Sequence, residues 1–415
     1  MNTNGKVSKL FDLNYIGYWG IIVILFFCAM NFRTYCTVLC FLALGIAIIA
    51  FRKYEINLAF FWYLFLALIM MIFNIENGVK AMLICFVFPV AYSVGFLVAV
   101  NLPWNESGNN SETAQKRIYG LLVSISLGAF AHYMLNFAIN IGSSVGRNTN
   151  DIWSGEILSA TGQSTLVCMT LGLSVAMLLA PRKKYIKYIG ILSLAGIFAY
   201  NLILAGRTLI VVFLLIFLLG FFYTFTNAKK ESKRLRILGW VVFLVTCAVI
   251  IWVYDIGGIR ETFKHSNLFL RFTGEYADDI EETGRFEVKL NFLKDMLNYP
   301  FGGKCLREKY NGYAHDFLLD GYDMYGVFGF MALLAILISS IKNLFVFCKN
   351  KENDLSIRAA FLCTYSAVFL IFFIEPAIEI HWLIVCYSIV NGTVAGYNSI
   401  FCGKNALGKK GVPSI

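Results

Sequence analysis

Charge is what this 415-residue chain has least of: 14% of its residues are Asp, Glu, Lys or Arg, 59% are hydrophobic, and the mean hydropathy is +0.69. Soluble globular chains carry charge at roughly a quarter of their positions, so a water-soluble domain is excluded. Nucleotide and metalloprotease signatures are lacking as well: there is no Walker A sequence, no GxGxxG and no HExxH. The eleven cysteines include no CxxC pair and no metal-ligand spacing. Ten of them fall in or beside apolar runs, which makes them small buried hydrophobes. A small-residue cleavage site behind the first apolar run is also missing, so no cleavable signal peptide is expected.

What is there is a series of apolar runs about 18–25 residues long, the length that crosses a hydrocarbon core. Lipid cannot hydrogen-bond a bare backbone, so such runs are helices or closed barrels. They are continuously apolar, without the alternation of a barrel strand. The runs predict an all-α polytopic membrane protein, one integral membrane domain over 1–415 with about twelve transmembrane helices. The expected spans are 15–31, 34–51, 56–74, 78–100, 118–140, 156–180, 185–204, 207–227, 237–254, 316–346, 358–375 and 381–402.

The net charge of +10 is mostly topological. With both termini in the cytoplasm, the inside segments hold Lys6 and Lys9, Arg52 and Lys53, Lys116 and Arg117, and Arg182 to Lys184. They also hold the run from Lys229 to Arg236, then Lys349, Lys351 and Arg358, and Lys404, Lys409 and Lys410. The short outside loops carry only Arg33, Lys80, Arg147 and Arg207. That asymmetry is the positive-inside rule, and it leaves no role for nucleic acid.

Residues 255–315 depart from the pattern as a long extracytoplasmic loop between spans nine and ten. It holds nine Lys/Arg and ten Asp/Glu. Long loops in compact folds are usually functional. Within it Phe286, Leu290, Leu293 and Leu297 recur on one helical face, with Thr283 as N-cap and Tyr299-Pro300 as stop. Such an amphipathic helix lies on the membrane surface or roofs a cavity.

Four features on that side can carry chemistry. Arg207 opens span eight after Gly206; it reads as a snorkelling arginine or, at a helix start, as an anion site that suits phosphate. Arg285 opens the amphipathic helix and takes the same two readings, with Glu281 or Glu282 as the plainer partner. Arg147 is one of very few cations on the short outside loops. His315 opens span ten beside Asp316, with Asp320 and Asp323 in the next turns. A lone interfacial histidine is commonly structural, yet a neutral imidazole beside carboxylates is a good general base, and ionisable groups at membrane depth are costly. His132, His265 and His381 have no such company and read as structural. No metal and no cofactor are expected.

Together these residues resemble the O-antigen ligase and polymerase family, the Wzy-type polymerases and WaaL-type ligases of bacterial surface polysaccharide assembly. His315 followed by Gly326 and Gly329 has the spacing of the ligase motif, with Asp316 where the family has Asn, Ser or Gln. Gly206, Arg207 and Thr208 are similar to its Ser-Arg-Thr, and Thr283 to Arg285 followed by Pro300 and Gly303 to its loop pattern. The motifs cover about 205–330; the first half resembles the family in topology alone.

The resemblance implies glycosyl transfer at the outer face of the bacterial cytoplasmic membrane. The donor is a glycan on undecaprenyl pyrophosphate, and the acceptor is another lipid-linked glycan. It implies His315 and Asp316 as catalytic residues, and Arg207, Arg285 and Arg147 as pyrophosphate ligands. Membrane lipid, a chain-length regulator and a flippase of the same pathway are the implied partners. The polymerase of lipid-linked repeat units is the favoured reading, with the ligase as its neighbour. A flippase or secondary transporter is the reading from another class; it would bind at the midplane with broken helices, whereas the polar candidates here gather at one face.

Overall fold

The computed structural model describes residues 13–102, 110–142, 148–228, 230–273 and 284–401. Arg147 and the expected cap Thr283 lie outside them, as do both charged termini. In chain order the helices are α1 (Leu13–Ala29), α2 (Cys36–Ala50), α3 (Leu58–Phe73), α4 (Gly78–Cys85), α5 (Val87–Asn101) and α6 (Asn110–Asn140). A small antiparallel hairpin follows, β1 (Asn148–Asn150) and β2 (Ile157–Ser159). Then come α7 (Ala160–Leu179), α8 (Lys184–Leu204), α9 (Arg207–Asn227), α10 (Glu231–Val253), α11 (Ile259–Lys264) and α12 (Asn267–Thr273). The chain continues through α13 (Arg285–Asp295), α14 (Cys305–Tyr310), α15 (Phe317–Lys349), α16 (Leu355–Ile374) and α17 (His381–Phe401).

Every apolar run of the sequence lies on helix. Among the described residues seven helices are long and apolar enough to cross a membrane. An eighth candidate joins Leu238–Val253 to Ile256–Lys264 across a 93° bend, while α1, α2 and α3 are shorter apolar helices. The helices are also apolar where they face out. On α9 the inward stripe is Leu209, Val212, Ile216, Gly220 and Thr224, and the outward surface is Val211, Leu214, Leu218 and Phe222. A helix whose outward face is greasier than its inward one has lipid as its solvent. The protein is an all-α membrane protein.

The predicted span 78–100 lies within one of the seven, Ile75–Asn101, which is interrupted at Phe86 between α4 and α5. Pro89 has no N–H to give the Cys85 carbonyl and its ring crowds that group, so the helix restarts there.

The chain folds as two compact units. Unit 1 comprises Met1–Ala129, Phe286–Asp354 and Glu375–Ile415; unit 2 comprises Phe130–Arg285 and Leu355–Ile374. Each has one helix buried almost all round. In unit 1 it is α17, packed on α5 so closely that a Cβ on Gly396 would stand 2.7 Å from the Phe96 carbonyl. Several of its buried polar groups find donors or acceptors: Asn391 Nδ2 donates to Tyr63 Oη at 3.1 Å, and Ser388 and Thr393 donate to carbonyls one turn back. At its start Trp382 Nε1 donates to the Ala29 carbonyl at the end of α1, at 2.7 Å.

In unit 2 the buried helix is α7. A polar network fixes the hairpin in front of it. Asp151 Oδ1 meets His132 Nε2 at 2.5 Å and accepts from Asn136 at 3.2 Å, and its Oδ2 accepts from the backbone of Trp153 and Ser154. Burial would push the Asp151 carboxyl up, but these hydrogen bonds, His132 foremost, hold it well below the usual carboxylate range. Asn136 and Thr149 both reach Gln163 on α7.

Candidate functional site

Unit 2 contains a cavity of about 240 Å³ lined by three arginines: Arg207, Arg271 and Arg285. The rest of its wall is Ala160, Thr161, Ser164, Gly206, Thr208, Val211 and Ile374. Two helices of unit 2 begin on it, α7 and α9, and Arg285 stands with them. α7 starts at Ala160, with Ser159 as a cap that accepts from Gly162 N. α9 starts at Arg207 and α13 at Arg285. Helix starts present N–H groups without intrahelical partners and the positive end of the dipole. With three guanidiniums beside them, the cavity has the chemistry that suits an anion with several oxygens.

Local sequence explains how the arginines arrive. Ala205 takes a left-handed conformation (φ 55°) and ends α8, so the chain turns at once into α9. Asn201 Nδ2 holds that turn by donating to the Gly206 carbonyl at 3.1 Å. The end of α8 then needs donors for its last carbonyls. Two come from α12: Arg271 Nη1 donates to Ala205 O at 2.8 Å and Asn267 Nδ2 to Ile203 O at 3.1 Å. Arg271 is thereby almost wholly buried, with a cation at a helix C-terminus where the dipole favours it.

His315 lies in unit 1. Its backbone is left-handed (φ 53°), and its Nδ1 is 3.7 Å from Oε2 of Glu375, a fully buried carboxylate. Asp320 shapes the turn: it accepts from Ala314 N at 2.8 Å and Asp316 N at 2.9 Å, on either side of the histidine. Asp316 is the N-cap of α15, accepting from Leu318 N and Leu319 N, with Lys289 Nζ 3.6 Å from its other oxygen. Asp323 accepts from Leu306 N and Arg307 N at the start of α14. Arg307 lies 3.9 Å over the Tyr313 ring and gives Nη1 to Glu379 at 2.5 Å. Burial, and then the Glu379 carboxylate, push the Tyr313 phenol up. The aspartates in the turns after His315 hold backbone, and the carboxylate that His315 meets comes from the end of the α16 segment.

The glycines of this region have one shared purpose. α15 is broken at Gly326 (φ 68°, ψ −165°), a conformation open to glycine alone. The segment after α13 crosses the break: Val327 N donates to Pro300 O, Lys304 N to Asp323 O and Gly303 N to Met324 O. A Cβ on Gly326 would stand 2.5 Å from Pro300 O, and one on Gly302 would stand 2.5 Å from Gly326 N. The crossing chain thus satisfies the backbone groups that the break frees, as an apolar medium requires. Pro300 with Gly303, and Gly326, are two sides of one joint.

The predicted amphipathic helix is α13, but it packs on a neighbouring face. Phe292 is buried with Leu306, Ala314, Leu319 and Tyr322, flanked by Val288 and Met296. Phe286, Leu290, Leu293 and Leu297 are exposed. Lys309 and Tyr310 of α14 both bond Asp295 at the far end, and the Lys309 contact holds its carboxyl below the usual range.

Arg207 and Arg285 therefore meet in one cavity, and His315 and Asp316 are neighbours in the other unit. Sequence reasoning passed over Arg271, Arg307 and Glu375. Glu375 carried the clearest signal, an acid at the end of an apolar run; the arginines had none beyond their type. No family model matches the chain, and no characterised protein matches it in sequence.

Proposed function

We propose that this protein is a polysaccharide polymerase of the Wzy type in the bacterial cytoplasmic membrane. In this reading it spans the membrane twelve times, has both termini in the cytoplasm, and exposes 255–315 on the outer side. The observation that carries it is the cavity where Arg207, Arg271 and Arg285 meet the starts of α7 and α9. A lipid diphosphate is the anion that a membrane protein meets with this many oxygens.

The reaction joins one lipid-linked glycan to another. The acceptor hydroxyl oxygen attacks the donor's anomeric carbon, and the bond from that carbon to the diphosphate breaks. The bonding electrons leave with the lipid diphosphate, whose growing charge the arginines stabilise. His315 takes the acceptor proton, with Glu375 beside the ring to orient it. Asp316 supports this as the cap that starts α15.

The test is purified protein in proteoliposomes with lipid-linked repeat units. A ladder of longer glycans is the expected product. Transfer only to a preformed lipid acceptor would mean the ligase, which the spacing of His315, Gly326 and Gly329 favours. Translocation without a new bond would mean a flippase, which the broken helix at Gly326 favours. Reporter fusions at Lys230 and Glu275 should report opposite sides of the membrane.

A further inference from the structure

The hairpin of α1 and α2 brings two thiols together. Cys28, in the last turn of α1, and Cys36, the first residue of α2, have their sulfurs 3.5 Å apart, and the Cys28 thiol also reaches the Cys36 carbonyl at 3.5 Å. Both are buried, at 0% and 5% exposure. The connection between them is held against its own preference. Asn31, Arg33 and Thr34 all adopt positive φ, at 49°, 49° and 63°, a region costly for residues with a Cβ. Packing keeps it there, including the Trp382 indole on Ala29 O. The two sulfurs are thus brought into contact by the surrounding fold.

We propose that Cys28 and Cys36 are a redox-active dithiol that closes to a disulfide by exchange with a disulfide oxidant. One cysteine thiolate attacks a sulfur of the oxidant, releasing one oxidant thiol and leaving a mixed disulfide. The other cysteine's thiolate attacks the first cysteine's Sγ in that mixed disulfide, forms the Cys28–Cys36 bond and releases the oxidant's second sulfur as a thiol. Two protein thiols are oxidised, one oxidant disulfide is reduced, and the two protons pass to solvent or to the departing thiolates. Closing from 3.5 Å to a disulfide's ~2.0 Å brings the two sulfurs about 1.5 Å nearer.

Two further thiols stand close by. Cys40, one turn along α2, and Cys386 of α17 lie near enough to act electrostatically on Cys36. They are the competing partners, and they become the controls. The bond would fix the α1–α2 connection covalently and remove freedom from the unfolded chain.

The full-length protein in its membranes is treated with 4,4′-dithiodipyridine, an apolar disulfide that enters the bilayer. Remaining thiols are blocked with maleimide under denaturing conditions, and peptides are mapped by mass. A linked peptide joining Cys28 to Cys36, lighter by two hydrogens and released by phosphine, is expected. It should persist in Cys40→Ser and Cys386→Ser and vanish in Cys28→Ser and Cys36→Ser. The oxidised protein should also melt several degrees higher, a shift absent from Cys36→Ser. Full maleimide labelling of both Cys28 and Cys36 after oxidation, or linkage of Cys36 to Cys40 or Cys386 instead, overturns the proposal.

Discussion

The surroundings of His315 and the arginine cavity treat charge in opposite ways. Around His315 opposite charges face each other in pairs: His315 meets Glu375, Lys289 meets Asp316, and Arg307 meets Glu379. In the arginine cavity three cations line one space, and no acid among the described residues lines it with them. Matched charges hold a geometry, because each is satisfied whether or not anything binds. Cations gathered round one space suit an incoming anion, whose charge each of them can meet. The first arrangement suits a proton acceptor whose position matters, and the second suits a ligand whose charge matters.

The largest effect that can break this comparison is at the matched site. His315→Ala should bind lipid-linked donor normally and extend it about 10²–10⁴-fold more slowly, the usual weight of a general base. His315→Gln keeps hydrogen bonding and loses proton transfer, so it should be equally slow. Should glutamine work where alanine fails, the histidine positions the acceptor; wild-type rates from both would move the base elsewhere, with Asp316 the next candidate.

Arg207→Ala, Arg271→Ala and Arg285→Ala should each reduce polymer formation roughly a hundredfold or more, the cost of losing one charge-assisted contact to a developing anion. Lysine should restore little, because it lacks the planar fork. Inorganic pyrophosphate should inhibit the wild type by occupying the cavity. Its inhibition constant, measured on the residual activity of the alanine variants, should rise. Three alanine variants with wild-type polymer would return these arginines to helix capping and snorkelling.

Gly326→Ala probes the joint beside the matched site and touches no charge. A Cβ there meets Pro300 O in a conformation reserved for glycine, so a loss of about 1–3 kcal/mol is expected. It should appear as a lower melting temperature in detergent. Gly239→Ala on α10, where a Cβ meets nothing within 4 Å, is the control and should change stability by about 1 kcal/mol or less, in the favourable direction. Equal melting of the two variants would mean the crossing at Gly326 is not formed.

The smallest effect separates support from chemistry. Asn caps a helix about as well as Asp, so Asp316→Asn should keep α15 and lose only the Lys289 pairing, worth about 1 kcal/mol or less. Its polymerisation rate should stay near wild type. A loss as deep as that of His315→Ala would make Asp316 the base.

The sequence disclosed the helices well where a run of apolar residues is bounded by chemistry. Arg207–Asn227 and Lys184–Leu204 fall within a residue of expectation because Gly206 and Lys183 mark their edges. It disclosed α6 less well, since polar Glu112, Lys116 and Arg117 extend that helix before its apolar part. The convergence of Arg207 and Arg285 was legible as two helix-start arginines. Arg271 was not, because its position depends on the orphan carbonyls of α8, sixty-six residues earlier in the chain. Periodicity found α13 and chose its exposed face. The stripe of Phe286 and Leu297 is as apolar as the stripe of Phe292, and only the position of α14 and α15 decides which is covered. The hairpin at 148–159 had no strand signal, as it is held by Asp151 and Asn140 side chains more than by its own ladder.

The Trp382 bond to Ala29 sets a clock on biosynthesis. Its two residues are 353 positions apart, and a ribosome adding about 5–20 residues per second needs roughly 20–70 s to make that stretch. For that interval α1 sits in the bilayer with its last carbonyl waiting, and α5 waits for the glycine face of α17. Unit 1 cannot close during synthesis, and in a nascent chain arrested before residue 382 Cys28 and Cys36 should react with thiol reagents faster than in the finished protein.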